Sequence, residues 1–166
     1  MVVSDGSAKE NQMSYGWVIN SLDDEPIAKG YGRCNGRPTS MRAESAGMLA
    51  ATIFLSTIQK FTNGSLGTLQ AKYFADNQAL ITRMNHHQQF VEPFVNTHLI
   101  PDYDLTEEIY MLQQRHNIKA NFDHVKGHLD DKKEIATLAQ EERMNVEADA
   151  LVTLHHDEGQ PSSLKC

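Results

Sequence analysis

The chain has 166 residues, 40% hydrophobic and 22% charged, the balance of an ordinary globular protein long enough to bury a core unaided. Two cysteines, one of them the last residue, make no disulfide framework, and no stretch approaches eighteen consecutive apolar residues, which excludes a stapled secreted scaffold and a helical membrane span. The formal net charge of −7 gives no overall attraction to nucleic acid, so composition alone points to a small acidic enzyme.

In chain order, Val2-Val3 opens a short β run that ends in the turn pair Asp5-Gly6. This start has no basic region and no long apolar run, so it is not a signal peptide, and the expected location is intracellular, cytoplasmic or nuclear. Tyr15 to Ile19 and Ile27 to Cys34 are further β runs, with Asp23-Asp24-Glu25-Pro26 as a hairpin loop between them. From Met41 to Phe61 the apolar residues recur at helical spacing, and Asn63-Gly64-Ser65 closes that helix. Leu69 to Ala75 reads as a buried strand, followed by a helix through Ala79, Leu80, Ile81 and Met84. A loop is expected over 86–101, then a helix from Asp104 to Arg115 with Leu105, Ile109 and Leu112 on one face. Lys119 to Val125 is strand-like, and a long helix is expected from Ile135 to His156. One domain over 1–157 with a disordered tail at 158–166 follows, in the order βββ-α-β-α-α-β-α. That order gives an α/β mixed sheet with helices packed on its faces.

Four acids fall at telling places on this skeleton. Asp5 and Asp76 end the first and fourth strands, where ligands gather in open α/β sheets. Glu44 lies in the first turns of the long first helix, and Asp149 lies in the last helix, four residues after Asn145 and on the same face. Each has an ordinary explanation: a turn aspartate, an acid complementing a helix dipole, an N-cap, a solvated helix charge. Together they suit a two-metal phosphodiesterase site, in which ions ~3.5–4 Å apart activate water and stabilise the leaving oxygen. Mg²⁺ takes hard oxygen ligands and only one or two carboxylates per ion, so four acids are the expected supply. The bound cations would also bring positive charge to an acidic chain.

Five short motifs resemble the ribonuclease H (type 1) family: Ser4-Asp5-Gly6-Ser7, Thr39-Ser40-Met41-Arg42-Ala43-Glu44, Phe74-Ala75-Asp76-Asn77-Gln78, His124-Val125-Lys126-Gly127-His128 and Asn145-Val146-Glu147-Ala148-Asp149. They stand in the family's order from residue 4 to 149. Arg-Ala-Glu and Val-Lys-Gly-His-x-Asp-Asp further resemble the ribonuclease H domains of eukaryotic retroelement reverse transcriptases.

The resemblance implies a ribonuclease H-like fold with a five-stranded mixed sheet, strands 1–3 antiparallel and strands 4 and 5 parallel to strand 1. It implies an endonuclease cutting the RNA strand of RNA–DNA hybrids, with two Mg²⁺ (or Mn²⁺) held by Asp5, Glu44, Asp76 and Asp149. His128, on the loop before the last helix, would move protons or help product leave, as a side chain titrating near neutrality can. Gly127 would be the hinge of that loop. Asn145 would brace the loop or contact substrate, and Gly6, Ser7, Thr39, Ser40 and Gln78 would complete the substrate contacts. For Thr39 a helix N-cap accounts equally well.

Two departures matter. Where many family members place Asn residues before Arg-x-Glu to read 2′-hydroxyls, this chain has Ser40 and Met41. Residues 86–101 contain no Lys or Arg, whereas cellular members often carry a basic protrusion there. Affinity for an isolated hybrid should therefore be poor, and a fused or associated polymerase domain would supply the grip. Only four residues precede Asp5, too few for an ordinary strand, so either the first strand is stunted or, the preferred expectation, the chain is a segment of a longer polypeptide. The contrasting expectation is a catalytically silent nucleic-acid-binding or tethering module. His86-His87 and His155-His156 lack cysteines at finger-like spacing and are read as solvated, as are Asp130-Asp131-Lys132-Lys133. Trp17 and Tyr15 are read as sheet packing.

Overall fold

A computed structural model describes residues 1–89, 100–128 and 134–158, with the backbone alone at 87–89 and 155–158. Its elements are β1 (Val2–Lys9), β2 (Gln12–Asn20), β3 (Pro26–Cys34), α1 (Ser40–Phe61), β4 (Leu69–Ala75), α2 (Gln78–Gln89), α3 (Tyr103–Arg115), β5 (Ile118–His124) and α4 (Gln140–Glu158). The strands form one five-stranded sheet in the order β3-β2-β1-β4-β5. Strands β1, β2 and β3 are antiparallel neighbours, β4 runs parallel to β1, and β5 parallel to β4. This is the mixed sheet expected from the sequence.

The first strand is longer than Asp5-Gly6 suggested. β1 pairs with β2 from Val2↔Ile19 to Lys9↔Gln12, so Asp5 and Gly6 lie in mid-strand. The hairpin turn is Glu10-Asn11, with φ of 48° and 64°, the pair of left-handed residues that a two-residue hairpin of matching twist requires. Gly6 serves a different need: a Cβ there would stand 2.3 Å from the Glu44 amide nitrogen and 2.4 Å from the Ala43 carbonyl carbon. With eight residues, β1 is not a stunted strand.

Side chains alternate across β1, and the two faces bury different helices. On one face Val2 and Ile19 pack with Met48, Ala51 and Leu55 of α1, Leu80, Ile81 and Met84 of α2, and Ile109 of α3. On the other, Val3 and Val18 pack against Met144, Ala148 and Leu151 of α4. Each such side chain contributes ~1.5–3 kcal/mol on leaving water. Tyr73 is fully buried, stacked on Phe122 with ring centroids 5.1 Å apart, and its hydroxyl meets Thr52 Oγ1 at 3.1 Å. In α3 the buried residues are Thr106, Ile109, Leu112 and Gln113, while Leu105 is only half-buried.

Trp17 and Tyr15 are sheet packing, as read: their rings lie over Gly30 and Gly32, their cross-strand partners, and Trp17 also meets Phe54 at 5.5 Å. The last helix starts later than expected, at Gln140, after a short 3-10 turn at Ile135–Thr137. Glu142 sets that start by accepting the Ala139 N–H at 2.9 Å, satisfying a donor the helix would leave orphaned. Among the described residues no helix is long and apolar enough to cross a membrane.

Helix α4 reaches the sheet only because position 16 has no side chain. A Cβ at Gly16 would lie 2.4 Å from the Ala148 carbonyl oxygen. Gly16→Ala therefore forces α4 outward, and a loss of about 1–3 kcal/mol is expected in urea denaturation, as for other overpacked contacts. A variant as stable as the parent would show that α4 does not seat there.

Candidate active site at the β1–β4 opening

The register of the sheet brings the acids together. Strands β1 and β4 pair at Val2↔Tyr73 and Val3↔Phe74 and then separate. Two residues beyond Val3 and Phe74 stand Asp5 and Asp76, on the same face by strand alternation and on either side of the opening. Gly6 admits the first turn of α1, which sets Glu44 beside them. Gly16, the cross-strand partner of Asp5, admits Ala148 of α4, and Asp149 follows one residue on.

The resulting electrostatics are unfavourable for bare carboxylates. Burial, then the neighbouring Asp76 charge, then Asp149, raise the Asp5 carboxyl to about 7, although the Gly6 N–H donates to its Oδ1 at 2.7 Å. Burial, Asp76 and Asp5 likewise push Glu44 up to about 8, opposed by a hydrogen bond from Asn77. Glu44 is 4% exposed, and its Oε2 is buried with no hydrogen-bond partner. An orphaned buried carboxylate oxygen among like charges is the condition that a hard cation relieves. The donor set therefore fits divalent ions. It is not a preassembled cage, because among the described residues no three His, Cys, Asp or Glu side chains are drawn together to hold one.

The approach of β5 completes the opening. The Val125 N–H donates to the Ala75 carbonyl at 3.1 Å, and His124 Nε2 donates to the Asp76 carbonyl at 3.1 Å. A Cβ on Gly127 would lie 2.4 Å from Asp76 Oδ2, so this glycine is needed for close approach of the chain to that carboxylate. His128 follows, exposed and with a left-handed φ of 53°.

The other expected site residues divide. Asn145 is 3% exposed with an unpartnered Oδ1, four residues before Asp149 on α4. Thr39 is the N-cap of α1, its Oγ1 accepting the Arg42 N–H at 3.1 Å. Ser40, at the start of α1, and Gln78, at the start of α2, are exposed, and Gln78 Nε2 reaches Thr82 Oγ1 at 3.4 Å. Ser7 is half-buried on β1 opposite Ser14. His86 is exposed, while the side chains of His87, His155 and His156, the segment 129–133 and the tail lie outside the described residues.

Three residues carry more than their motifs indicated. Arg42 spans from α1 to the start of α3, donating to Asp102 Oδ1 at 3.0 Å and Asp104 Oδ2 at 2.8 Å. His124 holds the Asp76 backbone. Asn77, not Asp76, caps α2 by accepting the N–H groups of Ala79 and Leu80 at 3.0 and 3.1 Å, so the Asp76 carboxylate is not spent on the cap. An Asn just before a helical run is a capping signal in its own right and marked the residue in the sequence.

The raised carboxyls fix a pH dependence. A carboxyl whose pKa is higher folded than unfolded favours the folded state below its unfolded pKa, and that advantage is lost as pH rises through the folded value. For Asp5 and Glu44 the window runs from about 4 to about 8. In chelator, the melting temperature should fall between pH 5 and pH 8.5, with a shallower fall in Glu44→Gln. A metal-free melting temperature that is flat or rising over this range in the parent contradicts the assignment.

No family profile matches the chain, and no curated protein matches it by sequence. Solved structures do match. The RNase H1 of the halophilic archaeon Halobacterium salinarum gives a TM-score of 0.65 at 20% identity, over 95% of this chain and 97% of that one. LC11-RNase H1, solved in complex with an RNA/DNA hybrid, gives 0.67 at 16% identity, over 95% and 96%. The PFV RNase H domain gives 0.59 at 19% identity, over 92% and 91%. With its β3-β2-β1-β4-β5 sheet and flanking helices, this chain has the ribonuclease H fold of type 1 ribonuclease H structures.

Proposed function

We propose that this chain is a metal-dependent endonuclease that hydrolyses the RNA strand of RNA–DNA hybrids, and that it acts as the nuclease domain of a retroelement-type polyprotein. The observation that carries the reading is the meeting of Asp5, Glu44, Asp76 and Asp149 at the β1–β4 opening, where burial and mutual repulsion leave carboxylates in want of a cation. The hybrid bound by LC11-RNase H1 and the likeness to the PFV domain support the choice of substrate and context. Intracellular action, in cytoplasm or nucleus, goes with this reading.

The four acids would hold two divalent ions, Mg²⁺ or Mn²⁺, which when bound supply charge stabilisation and water activation at a phosphodiester. The protein's own groups do the rest. Gly6 N–H fixes one oxygen of Asp5. His124 and Val125 at the end of β5 hold the carbonyls of Asp76 and Ala75, so the backbone that carries the Asp76 carboxylate is fixed before substrate arrives. His128, beyond Gly127, would carry a proton to or from the cleaved ends. Asn145 would brace that segment from α4. The Thr39 hydroxyl spends a lone pair on its cap and keeps its hydrogen for a phosphate oxygen. Ser40, Gln78 and Ser7, with the Gly6 backbone, would meet the hybrid's sugars and bases, with hydroxyl contacts telling RNA from DNA. A polymerase domain, fused or associated, would add the basic grip that a chain of net charge −7 lacks.

A second reading, a silent nucleic-acid-binding or tethering module, has one observation in its favour: among the described residues no ion cage is preassembled. One assay separates the two. The chain is incubated at low salt with Mg²⁺ or Mn²⁺ and labelled hybrid, double-stranded RNA or double-stranded DNA, beside Asp76→Asn. Cutting confined to the RNA strand of the hybrid, and reduced about 100-fold or more in Asp76→Asn, is expected. Hybrid that is bound but never cut, with either cation, would establish the silent module instead.

A further inference from the structure

We propose that Asn77 is the positioning residue of this site, its carboxamide tying the catalytic-end carboxylate of Glu44 to the N-terminus of α2. The inference rests on the proposed function for its catalytic meaning and on geometry for its structural one. Asn77 follows Asp76 directly and precedes α2, half-buried. Its Oδ1 accepts from Ala79 N–H at 3.0 Å and Leu80 N–H at 3.1 Å, and its Nδ2 donates to Glu44 Oε1 at 3.2 Å. Two backbone donors demand an acceptor and a carboxylate demands a donor, so the amide is locked in one orientation. A flip would break all three contacts.

This arrangement spans three elements with one side chain. It joins the start of α2 to the first turns of α1 beside Asp76, the residue after β4. Of the two Glu44 oxygens, one is held by the amide and the other is buried without a partner, so the held oxygen decides where the free one points. Ser, Thr and Asp also cap helices well. Serine keeps the cap but is too short to hold Ala79 and Leu80 and donate to Glu44 at the same time, and aspartate has no donor to offer. The carboxamide alone satisfies both demands, which gives Asn77 a role beyond capping.

Asn77→Ser and Asn77→Ala separate the cap from the positioning contact. In chelator, Asn77→Ser, which loses only the contact to Glu44, should melt a little below the parent, and Asn77→Ala, which loses the cap as well, lower still. The Mn²⁺ concentration giving half-maximal thermal stabilisation should rise about 10-fold in Asn77→Ser, the scale of losses seen when outer partners of metal ligands are removed. Its kcat on hybrid should fall by a similar factor with KM little changed. Parental Mn²⁺ midpoint and kcat in Asn77→Ser would overturn the proposal, as would losses in both variants that merely track melting temperature. A third arm needs neither metal nor hybrid: Asn77→Ala, Glu44→Ala and the double variant are melted in chelator, alanine at 44 removing the acceptor that glutamine would keep. Melting shifts that fail to add support the contact, and additive shifts overturn it. A parent chain that cuts no hybrid would sink the proposed function while leaving this arm decisive for Asn77.

Discussion

Like charges do not gather unless something stronger holds their supports in place, and here that agency is backbone-to-backbone packing at two glycines. Gly6 lets the first turn of α1 lie directly on β1, and Gly16 lets α4 lie on β2. Each helix brings one acid, Glu44 or Asp149, to the strand carrying Asp5. The parallel register of β1 and β4 brings the last, Asp76. The hydrophobic contacts of α1 and α4 on opposite faces of the sheet supply the free energy that opposes carboxylate repulsion. Shift either helix outward by a methyl group and the acids separate.

The remaining features of the opening answer the same constraint. The orphaned Glu44 oxygen and the raised Asp5 and Glu44 carboxyls mark an unpaid electrostatic debt in the metal-free protein. Asn77 and the Gly6 amide each hold one carboxylate oxygen, and His124 with Val125 fixes the chain at Asp76. Orientation is thus set by hydrogen-bond donors, and the charge would be left for the proposed cations. The chain's acidity fits the same division of labour. Under the proposed function, cations would meet the phosphate at the site, and a partner domain would supply the broader attraction to nucleic acid.

Much of this was legible in the sequence. The order of elements, the exact span of β4 and the placement of Glu44 near the start of α1 followed from periodicity and turn residues. The misreadings have physical causes. Asp5-Gly6 looks like a turn because glycine after aspartate usually is one, but this glycine answers a helix packed against it, a long-range contact that local pattern does not reveal. The true turn uses Glu10-Asn11, in which glutamate is an unusual choice for a left-handed position. The last helix was drawn too long because Ile135 and Leu138 continue its apolar rhythm while a 3-10 turn interrupts it. The close approach of Gly127 to the Asp76 carboxylate is a contact between distant segments, which its motif does not reveal. Asn77 was visible as a motif position, but its bond to Glu44 depends on two helices meeting, which sequence spacing does not encode.

Packing gathers these four carboxylates at one opening, which we propose binds cations. Anomalous diffraction from crystals of the chain grown with Mn²⁺ tests it most directly. The account predicts anomalous peaks between β1 and β4, liganded by Asp5, Glu44, Asp76 and Asp149, and their loss in Asp76→Asn. Manganese bound elsewhere while this opening stays empty would contradict it.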